Sequence, residues 1–71
     1  MSKSKLKKLG LNIKYSRKAK SLSQEKLAEK IGKSRNYVGM VERAEVNTPV
    51  LTIFEIAKIL EVEPKELFEF S

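Results

Sequence analysis

Hydrophobic residues recur along this chain with the spacing of α-helices, and short polar turns separate the repeats. Leu6, Leu9 and Ile13 fall three and four residues apart with lysines between them, which predicts a first helix over residues 4–20. Similar spacing predicts four further helices, over residues 24–31, 35–43, 49–60 and 64–70. No segment alternates in the manner of a strand, and no hairpin dipeptide occurs. We expect an all-α fold, a compact five-helix domain spanning residues 1–71.

The helix ends carry recognisable capping residues. Ser23 and Ser34 precede the second and third helices and can accept orphan backbone N–H groups, while Gly32 can end the second helix in the left-handed conformation. Thr48 and Pro49 fit the N-cap and first position of the fourth helix. These signals predict two short helices joined by a tight turn, followed by a loop.

The first helix has a less certain beginning. Residues 1–8 are rich in lysine, and we expect this segment to be a basic N-terminal tail that can be flexible. Gly10 weakens a helix by roughly 1 kcal/mol relative to alanine, so a start after Gly10 is an alternative.

The inward apolar positions define a small core. We expect it to contain Leu27, Ala28, Ile31, Val38, Val41, Val50, Ile53, Ala57, Leu60, Leu67 and Phe68. Leu51, Ile59 and Phe70 are left over near the C-terminus, with Phe54 or Ile56 as partial members. Because exposed apolar patches mark interfaces, these residues predict a homodimer formed through the fourth and fifth helices.

Composition excludes several kinds of chemistry. The chain has no histidine and no cysteine, so common zinc sites and thiol chemistry are absent. No Ser/His/Asp set or phosphate-binding loop appears, and we expect no catalysis and no cofactor. No apolar run approaches a membrane span, and no signal region follows the N-terminal lysines. We therefore expect a cytoplasmic protein without a membrane partner.

Charge is divided unequally along the chain. Residues 1–43 carry 13 Lys/Arg against three Glu, a net of +10, whereas residues 44–71 carry two Lys against six Glu, a net of −4. A basic pole attracts a polyanion through release of condensed counterions. The alternatives are a charge that serves solubility, or a basic helix on a membrane surface, which the sparse apolar face disfavours.

The third predicted helix carries the candidate binding chemistry. Val38 and Val41 mark its apolar side, and its polar residues are Arg35, Asn36, Tyr37 and Arg43. A short helix with this division suits the major groove of DNA.

Spaced residues along most of the chain carry a family resemblance. They are Leu22-Ser23-Gln24, Leu27-Ala28, Ile31-Gly32, Ser34, Val38, Glu42-Arg43, Ile56-Ala57, Leu60 and Glu66-Leu67-Phe68. Together they resemble the Cro and phage-repressor type of helix-turn-helix domain, the XRE family. The resemblance implies double-stranded DNA as the partner, with residues 35–43 as the recognition helix.

The resemblance also implies roles for single residues. Those implied to face bases are Ser34, Arg35, Asn36, Tyr37 and Met40. Gln24, Arg43 and Asn47 match positions that contact phosphate, and Gln24 also braces the recognition helix. Lys33 lies in the turn beside the groove entry, which favours phosphate as its partner. Arg17 and Glu42 match a buried salt bridge that links the first and third helices.

Other interpretations of the contact residues stay open. Arg35 can pair with guanine or contact phosphate, and Asn36 can pair with adenine or serve as a cap. Tyr37 can reach DNA or cover the core. Met40 can meet a thymine methyl or fill a gap. Gln24 can contact phosphate or cap the backbone.

Three residues depart from the family pattern. Ser21 and Ala44 stand where a glycine in a left-handed turn is usual, at a cost of about 1 kcal/mol or more each. Gly39 lies inside the recognition helix, where it loosens the helix and can allow close approach of backbone to DNA.

The functional expectation is a sequence-specific transcriptional regulator that binds paired half-sites as a homodimer. A restriction-modification controller or a small prophage repressor fits this description. The length leaves no room for a ligand-sensing domain, so no small-molecule ligand is expected. The alternative is a protein-interaction module of the same fold, either an antitoxin or an antirepressor.

Overall fold

Five α-helices follow one another along residues 2–69, the part of the chain that the computed structural model describes. They are α1 (Lys3–Ala19), α2 (Gln24–Ile31), α3 (Arg35–Glu42), α4 (Val50–Leu60) and α5 (Pro64–Leu67). No strand occurs within the described residues. The prediction of an all-α, five-helix fold is therefore confirmed.

All five helices contribute to one hydrophobic core. Its buried members are Leu9, Ile13, Leu27, Ala28, Ile31, Val38, Val41, Ile53, Ile56, Ala57, Leu60 and Leu67. The helices enclose this core in a body of about 28 × 22 × 20 Å. The apolar faces predicted for α2 and α3 are thus the faces that are buried.

Helix α1 begins earlier than the lysine pattern predicts. Ser2 is its N-cap, with the Ser2 hydroxyl accepting from the Lys5 backbone N–H at 3.2 Å. Residues 3–8, which carry the lysines of the predicted tail, are part of this helix, and its start is one residue from the start at residue 4 that the hydrophobic spacing predicts; Met1 lies outside the described residues. The alternative start after Gly10 is wrong, because the helix runs through Gly10 without a break.

Gly10 has a packing role where α1 crosses α3. A Cβ atom there would lie 2.5 Å from the Glu42 carbonyl oxygen and 2.8 Å from the Val41 carbonyl oxygen. No side chain fits at that distance from backbone atoms. Glycine lowers the helix propensity of α1, but the absence of a side chain allows α1 to approach the end of α3.

Helix α4 begins one residue later than predicted. Pro49 keeps an extended backbone (φ −58°, ψ 144°) and is itself the N-cap, without a side-chain cap bond. Thr48 therefore lies too far out to serve as the cap, and its buried Oγ1 has no hydrogen-bond partner within residues 2–69. The predicted Thr48 cap is wrong because helical φ and ψ start only at Val50.

The buried face of α4 contains Ile53, Ala57 and Leu60 as predicted, but it does not contain Val50. Val50, expected in the core, is 59% exposed, whereas Thr52 and Ile56 are buried. Helix α4 is apolar on most of its circumference, so its periodicity did not determine which side faces inward.

Helix α5 ends at Leu67 rather than near Phe70. The Asn12 side-chain amide donates to the Leu67 carbonyl at 2.9 Å and to the Glu69 carbonyl at 3.1 Å. These bonds satisfy carbonyls that a longer helix would have used internally. Phe68 is half-buried against the core, and Phe70 lies outside the described residues.

Candidate nucleic-acid interface

Serine caps fix the starts of the two helices of the motif. The Ser23 hydroxyl accepts from the Lys26 backbone N–H at 3.0 Å, and the Ser34 hydroxyl accepts from the Tyr37 backbone N–H at 3.0 Å. Gly32 ends α2 in the left-handed conformation with φ +70°. Each predicted cap at this turn is present, and together they set the angle between α2 and α3.

A buried polar network holds α3 against α1 and α2. Arg17 Nε lies 2.7 Å from Glu42 Oε2, and Arg17 Nη2 lies 3.1 Å from Glu42 Oε1. Arg17 Nη1 also donates to the Leu22 carbonyl at 2.7 Å, and Gln24 Nε2 donates to Glu42 Oε1 at 3.0 Å. The salt bridge implied by the resemblance is thus present, with side chains only 7% and 3% exposed.

This network has an architectural consequence. Buried charges are tolerated only when they are paired and hydrogen-bonded, and here each carboxylate oxygen of Glu42 has at least one donor. The network ties α1 and α2 to the C-terminal end of α3. Gln24 therefore braces α3 through Glu42.

The exposed side of α3 presents two side chains without partners. Arg35 and Asn36, at the start of the helix, are exposed and make no hydrogen bond or ion pair within residues 2–69. Ser34 is exposed as well, but its hydroxyl oxygen serves the cap. Met40 is half-buried. Among the five residues predicted to face bases, Arg35 and Asn36 have their polar groups fully available.

Tyr37 occupies an intermediate position. Its ring packs against the hydrophobic core, and the Lys33 ammonium lies 5.6 Å from the ring centroid, within cation–π range. The interpretation of Tyr37 as a ring that covers the core agrees with this packing. Lys33 is held beside the first turn of α3 while its charge stays exposed.

The remaining predicted phosphate contacts lie after α3. Arg43, its C-cap, pairs with Glu45: Nε lies 3.0 Å from Oε2 and Nη2 lies 3.3 Å from Oε1. The hydrogen bond from Arg43 lowers the pKa of Glu45, and the same bond raises the pKa of Arg43. Asn47 is exposed and has no hydrogen-bond partner within residues 2–69. Sequence reasoning missed Glu45, although an acidic residue two positions after Arg43 was a visible signal.

The two residues that replace the family's usual glycine, Ser21 and Ala44, both adopt the left-handed backbone conformation. Ser21 has φ 57° and Ala44 has φ 61°, and Glu61, which sequence reasoning did not single out, has φ 59°. Ala44 follows the C-cap of α3, and the Glu45 N–H returns to the Met40 carbonyl at 2.8 Å. This closure of the helix end positions Glu45 beside Arg43. Glu61 forms a surface ion pair with Lys20, which lowers the pKa of Glu61.

Other kinds of site find no support within residues 2–69. No group of three or more acidic, histidine or cysteine side chains comes together to hold a metal ion in that range. No helix of the described chain is both long and apolar enough to cross a bilayer.

Comparison with known proteins gives a consistent assignment. The helix-turn-helix family model HTH_3 matches residues 13–67. Control protein C.SmaI of Serratia marcescens is 41% identical over 83% of this chain and 70% of its own length. Control protein C.BamHI of Bacillus amyloliquefaciens is 38% identical over 87% of this chain and 78% of its own length.

A solved structure extends the agreement to three dimensions. The crystal structure of the restriction-modification controller protein C.AhdI from Aeromonas hydrophila superposes with a TM-score of 0.88 and 44% identity. It covers 93% of this chain and 96% of that one. On the matched motif, the identities and the shared architecture, this chain belongs to the helix-turn-helix family of transcriptional regulators.

Proposed function

We propose that this protein is a sequence-specific DNA-binding regulator whose helix α3 enters the major groove. The observation that carries the proposal is that Arg35 and Asn36, at the exposed start of α3, have no side-chain partner within residues 2–69. The Arg17–Glu42–Gln24 network holds this helix by its other end. A rigid helix with free polar groups at its start is suited to reading base edges.

The chemistry of these side chains defines what they can read. The Arg35 guanidinium offers two parallel donors that match O6 and N7 of guanine, and the Asn36 amide matches N6 and N7 of adenine. Ser34, Tyr37 and Met40 flank them and supply shorter-range or apolar contacts. We propose that Arg35 provides the strongest discrimination between base pairs.

Phosphate contacts surround this reading surface. Lys33 and Asn47 are exposed, Gln24 lies at the start of α2, and Arg43 follows α3. Phosphate contacts fix the position of a protein on the duplex and make the affinity depend on salt. We propose that these four residues orient α3 in the groove.

The functional unit is proposed to be a homodimer. Val50, Leu51 and Phe54 lie on one side of α4 and are 59%, 74% and 49% exposed, which supports a shared apolar surface there. Within the predicted interface set, Leu51 is the most exposed of the described residues, while Ile59 is half-buried against the core. A two-fold axis through this surface suits two half-sites about 34 Å apart.

The proposed regulated genes follow from the relatives. Control proteins C.SmaI and C.BamHI and the restriction-modification controller C.AhdI are similar over most of this chain. We propose that this protein controls the genes of a restriction-modification system, in the compartment that holds the DNA.

DNA binding is tested by selecting duplexes from a random pool and titrating the best one at several salt concentrations. Log affinity should fall with log salt by about 0.9 for each phosphate neutralised. A nearly flat salt dependence would contradict DNA binding. The selected sequence should occur upstream of restriction-modification genes in the source genome, and its absence there would remove only the proposed regulatory target.

Dimerisation is tested by sedimentation of matched leucine variants. Leu51→Glu places a charge in the proposed interface, whereas Leu11→Glu changes a leucine on α1 that is 42% exposed. We expect the parent and Leu11→Glu to dimerise and Leu51→Glu to be a folded monomer. A parent that stays monomeric at every concentration, with one subunit per operator, would contradict the dimer.

A further inference from the structure

The loop after α3 places a carboxylate among the residues proposed to contact phosphate. Glu45 Oε2 lies 3.0 Å from Arg43 Nε, and Glu45 Oε1 lies 3.3 Å from Arg43 Nη2. Two parallel bonds of this kind are also how a guanidinium binds a phosphate group. Both side chains are about half exposed, so a ligand can reach the pair from solvent.

The backbone fixes the carboxylate in this position. Ala44, between the two paired residues, is left-handed, and the Glu45 N–H bonds to the Met40 carbonyl at 2.8 Å. These features close the end of α3 and bring side chains two residues apart onto one side of the loop. The pairing therefore depends on a defined turn, which distinguishes it from a chance contact of two long side chains.

A second cation lies near the same carboxylate. Glu45, Lys3 and Asn47 line one open groove of about 270 Å³ between the start of α1 and the loop. The charge of Lys3 adds to that of Arg43 in lowering the pKa of Glu45. Two cations and an amide around one anionic group form a suitable environment for a phosphodiester.

Gly39 provides the space in which the arginine lies. A Cβ at Gly39 would come within 2.8 Å of Arg43 Nη1, so the guanidinium rests where another residue would place its side chain. The guanidinium thereby lies back against α3 while Glu45 holds it. Gly39, which is unusual at this position, therefore leaves room for the Arg43 side chain to pack against α3.

We propose that Glu45 is an internal competitor for a backbone phosphate, occupying a site formed by Arg43, Lys3 and Asn47 until DNA displaces it. The inference rests on the proposed DNA-binding function and adds a residue that limits affinity. The ligand is a phosphodiester of the duplex backbone, so the effect of Glu45 is the same for every DNA sequence. Glu45 therefore lowers the affinity for operator and non-operator DNA by a similar factor.

The test is a double-mutant cycle between Glu45→Gln and Arg43→Gln, measured as dissociation constants on the selected duplex at fixed salt. Glu29→Gln is the matched control, because it removes the same charge from an exposed ion pair, with Lys26 on α2. Circular dichroism checks that each variant is folded.

We expect Glu45→Gln to tighten binding by about 1.5- to 5-fold per half-site, the range that exposed ion pairs support. The gain should be lost in the Arg43→Gln background, and Glu29→Gln should give a smaller gain that does not depend on Arg43. On operator and non-operator duplexes the Glu45→Gln gain should be equal.

Two results would overturn the inference while leaving the proposed function intact. The first is an unchanged affinity of Glu45→Gln in a parent that binds DNA. The second is a gain of equal size with and without Arg43, which would indicate only the loss of a negative charge. A parent that binds no duplex at all would refute the proposed function and this inference together.

Discussion

Two arginine–glutamate pairs flank the C-terminal end of α3, and their surroundings are opposite. Arg17 and Glu42 are buried between helices and share their hydrogen bonds with Gln24 and the Leu22 carbonyl. The side chains of Arg43 and Glu45 lie half exposed after α3, and among residues 2–69 they bond only to each other. The buried pair cannot exchange partners without loss of the fold, whereas the surface pair can give its guanidinium to a ligand.

Gly10 and Gly39 show the same contrast between a fixed and a movable neighbour. At Gly10, a Cβ would meet carbonyl oxygens of α3, which belong to the backbone and cannot move aside. At Gly39, it would meet the far end of the Arg43 side chain, which can move. The contact of α3 with α1 is therefore rigid architecture, whereas the position of the Arg43 side chain over Gly39 is adjustable.

The largest expected effect is on the buried pair. Arg17→Ala leaves the Glu42 carboxylate buried without its main partner, which typically costs about 3–5 kcal/mol. Since a small domain has a total stability of about 5–15 kcal/mol, this loss removes a large share of the free energy of unfolding. Urea unfolding followed by circular dichroism measures this, with Arg43→Ala as the control that should change little. Equal loss in the two variants would break the distinction between the pairs.

The next largest effect is expected at Gly10. Gly10→Ala should destabilise the fold by about 1–3 kcal/mol, because overpacking against backbone outweighs the gain in helix propensity. The free energy of unfolding from a denaturant titration measures it. An unchanged or increased stability would mean that α1 can move away from α3 at no cost.

An effect of opposite sign is expected at Gly39. Gly39→Ala should stabilise α3 by up to about 1 kcal/mol, since only the Arg43 guanidinium has to shift. The same titration that serves Gly10→Ala measures it. Destabilisation comparable to that of Gly10→Ala would show that the Arg43 side chain over Gly39 is as constrained as the backbone that faces Gly10.

The smallest expected effect is on the titration of the surface pair. The hydrogen bond from Arg43 lowers the pKa of Glu45 below its ordinary value of 4.5. With a lowered folded-state pKa, the pair's contribution is present above the ordinary value and is lost as pH falls through the folded value. Carboxyl chemical shifts followed by NMR should show this low midpoint, and Arg43→Gln should move it back up. A midpoint that ignores Arg43 would mean that the pair does not form in solution.

Local chemistry made the motif itself predictable. Each cap acts within one helical turn, through a side chain at Ser23 and Ser34 and through backbone freedom at Gly32. The caps therefore follow from the sequence alone. The apolar faces of α2 and α3 were equally clear, because each helix has one apolar side and one polar side. The Arg17–Glu42 pair required the family resemblance, since nothing local joins residues 25 positions apart.

The errors lie where tertiary contacts override local signals. Val50 fits a helical repeat in a segment that is apolar nearly all round, so only packing decides that it is exposed. Gly10 suggests a helix break, yet α3 requires a residue without a side chain there. The Arg43–Glu45 pair depends on the left-handed Ala44. The sequence showed that Ala44 replaces the glycine usual in the family, but it did not show that this turn brings Arg43 and Glu45 together.

In the proposed complex, Arg35 and Asn36 at the start of α3 read bases while the neighbouring cations bind phosphate. The most direct test measures Arg35→Ala and Lys33→Ala against a panel of single-base variants of the selected duplex. Arg35→Ala should cost about 1–3 kcal/mol on the best site and lose discrimination at one position of each half-site. Lys33→Ala should weaken binding to every member of the panel about equally. An Arg35→Ala variant that keeps the parent's full base preference would contradict the claim.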